Sequence, residues 1–91
     1  MRKLTRKELR AIVLEVKKSG FDLEKTYVIV DTFSKEGWHG LGLTFMDGKK
    51  SMRVVMPLRS KPTLDEVTKQ LGRVYKDIRV DERTYAEIER D

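Results

Sequence analysis

Two helical periods of hydrophobic residues enclose a stretch of strand-like alternation. Leu9, Ile12, Val13 and Val16 recur at i, i+3, i+4 and i+7, which predicts a helix with one apolar stripe. Its start is marked by Thr5-Arg6-Lys7-Glu8, a capping box. The threonine hydroxyl accepts the Glu8 N–H, and the Glu8 carboxylate reaches back to the Thr5 N–H. Leu4 and Leu9 stand where a hydrophobic staple closes. Gly20 tolerates the left-handed position after the last turn, and Phe21 can fold back on Val16, so the helix is expected over about 5–19.

Residues 26–32, Thr-Tyr-Val-Ile-Val-Asp-Thr, are too few for a helix and rich in β-branched side chains. Their nearly continuous apolar character predicts a strand covered on both faces or central in a sheet. A polar loop from Phe33 to Gly40 then leads to two alternating runs around Asp47-Gly48, a strong hairpin signal. With that pair as the loop, Met46 faces Lys49, Leu43 faces Met52 and Leu41 faces Val54. Leu41, Leu43, Phe45, Met52, Val54 and Met56 then share a packed face. Gly42, Thr44, Met46, Lys49, Ser51, Arg53 and Val55 share the other, and Pro57 ends the strand. Thr63-Leu-Asp-Glu66 reads as a second capping box, and Leu64, Val67, Leu71, Val74, Tyr75 and Ile78 predict a second helix over about 64–78. Asp81 is a candidate cap for a short acidic helix over 82–90, anchored by Tyr85 and Ile88.

The expected architecture is therefore α+β, in the order α-β-β-β-α with a short C-terminal helix, in one domain spanning 1–91. A three-stranded antiparallel sheet with helices packed on one face satisfies that order. The absence of cysteine excludes disulfides and thiolate metal sites and suggests a cytoplasmic protein. No apolar run approaches the ~20 residues that span a bilayer, so no membrane partner is expected. Asparagine is absent and Gln70 is the sole glutamine, a pattern found in heat-adapted proteins.

Charge alters the picture most. Lys and Arg number 20 against 15 Asp and Glu, net +5. The excess is uneven, because residues 1–79 hold 18 basic and 10 acidic side chains, whereas 80–91 hold two and five. At about 100° per residue, Arg6, Lys7, Arg10, Lys17 and Lys18 fall on one flank of the first helix. A second strip comprises Lys49, Lys50 and Arg53, with Arg59 and Lys61 in the connector after the strand. Clustered cations of this kind are the electrostatic footprint of phosphate-backbone binding. Gly37-Trp38-His39-Gly40 adds the sole tryptophan, able to stack on a base, beside the sole histidine.

The leading expectation is a small basic nucleic-acid-binding module, for DNA or RNA, that does no chemistry, needs no cofactor and holds no metal. The acidic 80–91 segment would mask part of the basic surface if it docks there. The alternative is a protein–protein interaction adaptor, because Leu14 falls amid the basic flank; a homodimer is also open. The element order is shared with double-stranded RNA-binding domains, but Thr63-Leu-Asp-Glu66 opens the last helix with acids where those carry lysines. Gly20-Phe21, His39, Asp47-Gly48 and Val55-Met56-Pro57 resemble HicA-type toxins over about 8–78. That resemblance implies a ribonuclease with His39 as catalytic acid or base, and Arg53 or Lys50 would stabilise phosphate charge.

Overall fold

A computed structural model describes residues 3–35, 37–58 and 60–81. The first helix, α1, spans Arg6–Lys18, and Thr5 forms the expected capping box with Glu8. Its end is a Schellman motif: the Gly20 N–H donates to the Lys17 carbonyl at 3.1 Å and the Phe21 N–H to the Val16 carbonyl at 3.4 Å. Gly20 has φ 84°, the left-handed value this stop requires, and Phe21 is buried.

Three strands follow, β1 (Tyr27–Lys35), β2 (Trp38–Asp47) and β3 (Lys50–Leu58). β1 runs further than expected because Phe33, Ser34 and Lys35 pair with Gly40, His39 and Trp38. The tryptophan and histidine thus open β2 instead of sitting in a loop. The β2–β3 register also differs, by two residues: Asp47 pairs with Lys50, Phe45 with Met52 and Leu43 with Val54. Gly48, at φ 60°, takes the first loop position, where a primed hairpin turn needs a left-handed residue. Because strand side chains alternate with period two, this slip leaves both predicted faces intact.

The second helix, α2, spans only Leu64–Gly72 and not 64–78, and the Thr63 side chain makes no capping bond. Beyond it, β4 (Asp77–Asp81) pairs parallel with β1, placing Ile78 beside Val28 and Val80 beside Val30. The sheet is therefore four-stranded and mixed, in the order β3-β2-β1-β4, not three-stranded and antiparallel. The added strand has a physical reason. Without it the apolar β1 would be an edge with unpaired backbone groups. Asp-Ile-Arg-Val-Asp supplies a period-two segment to pair with it. β1 is central, as its apolar run implies.

Both helices pack on one sheet face. Ile12 and Val16 of α1, Val67 and Leu71 of α2, and Val28, Val30, Leu41, Leu43 and Phe45 of the sheet share one core cluster. Gln70 ties the layer together: it accepts the Leu4 N–H at 2.9 Å and donates to the Leu4 carbonyl at 2.6 Å. No described helix is long and apolar enough to cross a membrane. The expected helix over 82–90 lies outside the described residues.

Candidate nucleic-acid interface

The basic residues lie on two surfaces that differ in what surrounds each cation. On α1, the amphipathic period that buries Ile12 and Val16 leaves Arg6, Lys7, Arg10, Lys17 and Lys18 exposed. None of the five pairs with an acidic side chain among the described residues. Arg6, Arg10 and Lys17 line an open groove of about 590 Å³ together with Leu9, Val13, Leu14 and Val74. Leu14 is 50% exposed. At 1.5 Å per residue the row from Arg6 to Lys17 is ~16 Å long. That length matches about five nucleotides of one strand at ~3.4 Å rise.

The second surface is the sheet face turned away from the helices. Here Arg53 of β3 reaches across β2 to Asp31 of β1: Nη1 donates to Oδ1 at 2.7 Å and Nη2 to Oδ2 at 2.8 Å. Nη1 also donates to Thr44 Oγ1 at 3.0 Å. The fork is possible because Gly42 lies between them, where a Cβ would overlap both the guanidinium and the carboxylate. Asp31 keeps only 4% of its side chain exposed against 41% for Arg53, so the pair is half shielded from water. The hydrogen bond to Asp31 raises the Arg53 pKa further above its ordinary value. Arg53 is thus engaged in a structural clamp.

The remaining predicted residues separate. Lys50 Nζ donates to the Gly20 carbonyl at 3.2 Å, joining the hairpin to the end of α1. Lys49 and Lys61 are exposed. Arg59 lies outside the described residues. Trp38 is 55% exposed at the start of β2, away from the α1 groove. His39 pairs in register with Ser34 and Leu58 on the helix side of the sheet, whereas Arg53 is on the other side. His39 thus lies apart from Arg53, and apart from Lys50, which pairs with Asp47 at the far end of the hairpin. Among the described residues, no cluster of three or more His, Cys, Asp or Glu is placed to hold a metal.

Sequence reasoning missed the Asp31 clamp and the aromatic content of the open face. β1 contributes Tyr27 and Phe33 there, but both are engaged: Arg79 lies 4.0 Å over the Tyr27 ring and Phe33 lies across Gly40. Arg79 also pairs with Asp77 at 3.0 Å. A charged Asp31 inside an apolar strand, with an arginine on another strand, was the available signal. No family model, curated protein or solved structure matches the chain.

Proposed function

We propose that the protein binds nucleic acid through its helix layer, with Arg6, Lys7, Arg10, Lys17 and Lys18 contacting the phosphate backbone and no chemistry following. The observation that carries this reading is the row of cations on α1 with no acidic partner among the described residues. Lys17 and Lys18 also favour the negative end of the helix dipole, so their presence has a structural explanation. Arg6 and Lys7 do not. They occupy the first turn, where the dipole disfavours cations by a few tenths of a kcal/mol, about 0.3 or more. Stability alone would place acids there.

Binding of labelled single- and double-stranded DNA and RNA, followed between about 50 and 200 mM salt, tests the reading. Affinity should fall steeply with salt. The triple variant Arg6→Glu, Arg10→Glu, Lys17→Glu should lower the logarithmic salt slope by about 2–3, one counterion for each phosphate that is no longer neutralised. No binding to any probe at low salt refutes the proposal.

The aliphatic part of the same groove favours a second reading, docking of an acidic amphipathic protein segment against Leu14. Leu14→Gln separates the two: it removes the aliphatic anchor without adding charge, so it weakens docking of a protein segment but leaves the salt slope with nucleic acid unchanged.

A further inference from the structure

The sheet face turned away from the helices combines apolar side chains with charges that are already paired. Phe33 and Pro57 flank Gly40 in one register row, with Trp38 and Val55 in the same-face rows on either side, whereas Ile29 and Met46 lie beyond the Arg53–Asp31 pair. Val55 is 48% exposed and Trp38, at the end of the same face, is 55% exposed. Apolar side chains gathered at one end of an uncovered sheet face mark a surface that something binds.

We propose that a second copy of this chain covers this face, the two sheets packing face to face about a two-fold axis. Charge selects this occupant. Arg53 is held by Asp31 and Arg79 by Asp77 within one copy, so burial leaves neither arginine without a partner. The helix layer has the opposite property, since its cation row repels a second identical row. The sheet face is also complementary to itself. Its β3 side ends at Lys49, exposed and without an acidic partner among the described residues, and the same end of its β4 side carries the exposed Asp77. A two-fold axis along the strands lays β3 of one copy over β4 of the other, bringing the basic margin to the acidic one.

Size agrees with a reversible dimer. Four strands of these lengths, spaced ~4.8 Å apart with ~3.3 Å per residue, present roughly 500 Å² of face in each copy. Two copies then bury about 1,000 Å², the lower limit for a specific interface. Pairing through the sheets directs the α1 rows outward on opposite sides of the dimer. The dimer stands or falls independently of nucleic-acid binding.

Sedimentation equilibrium of the full chain over a wide concentration range tests it, with circular dichroism as the check on folding. The expected result is a reversible dimer, weakened at least tenfold by Val55→Glu and unchanged by Leu14→Glu on the opposite layer. The chain has no cysteine, so Met46→Cys provides a second test that leaves the charges intact. A short bis-maleimide should join two Met46→Cys chains and should fail to join two Leu14→Cys chains. A monomer at every concentration overturns the proposal, as does a dimer broken by Leu14→Glu but not by Val55→Glu. A chain that dimerises only after removal of residues 82–91 assigns the face to that segment instead and also overturns it.

Discussion

The helix layer and the open sheet face both carry basic residues, yet the α1 cations stand available while the arginines of the sheet are paired. On α1 five cations stand exposed without acidic partners among the described residues, whereas Arg53 and Arg79 of the sheet are paired with Asp31 and Asp77. Arg53, committed to the buried Asp31 carboxylate, has exchanged its hydration for protein bonds and gains little from a phosphate, whereas the Arg79–Asp77 pair is exposed to solvent. The number of basic residues on a surface therefore says less about its partner than the number left unpaired.

The largest effect is expected where the sheet face is broken. Arg53→Leu leaves the shielded Asp31 carboxylate without its fork and should cost about 2–3 kcal/mol, below the ~3–5 of a fully buried pair because Arg53 is partly exposed. Urea unfolding measures it. Polyanion affinity of the folded variant should match that of the parent, and a parallel drop in affinity would blur the distinction between the two surfaces.

Tyr75 gives the next effect. Its ring packs at 5.4 Å from Phe45, and its buried hydroxyl has no hydrogen-bond partner among the described residues. Burial pushes its pKa from 10.0 up to about 12. The folded state thus holds the proton to higher pH than the unfolded state. Stability from this source is complete below pH ~10 and declines as pH rises toward ~12, by about 2–3 kcal/mol at ~1.4 per unit. Tyr75→Phe should remove that part of the alkaline decline. At neutral pH it should be neutral or stabilising by up to ~1 kcal/mol, since an unpaired hydroxyl is removed. Urea melts of both proteins across that pH range decide this.

Gly40→Ala comes third. A Cβ would collide with the Phe33 ring, so the ring must move at a cost of about 1–2 kcal/mol. Thermal melting reads the loss. Reversing charge at Arg6, Arg10 and Lys17 should alter stability least, within ~0.5 kcal/mol, because exposed positions away from the core are tolerant. A larger loss would make the α1 row a structural feature.

Elements with local punctuation were legible in the sequence. The α1 capping box, the Gly20-Phe21 stop and the two faces of β2 and β3 each depend on residues close in the chain. The end of α2 was not legible, because Val74 and Tyr75 continue the helical apolar stripe although they follow the helix in space. Both still reach the core, which is why the period misleads. The alternation in Asp77–Asp81 was visible, but its partner is β1, some fifty positions earlier, and only tertiary structure reveals a parallel pairing at such separation. The α1 row was likewise readable from helical geometry, whereas the engagement of Arg53 was hidden because its partner lies two strands away.

Mapping amide chemical shifts during titration with a short single-stranded DNA decides which of the two layers meets the polyanion. The largest changes are expected along Arg6–Lys18 and at Val74, with Thr44, Arg53 and Val55 unmoved. Changes concentrated on Trp38, Thr44, Arg53 and Val55, with α1 silent, would contradict binding through the helix layer.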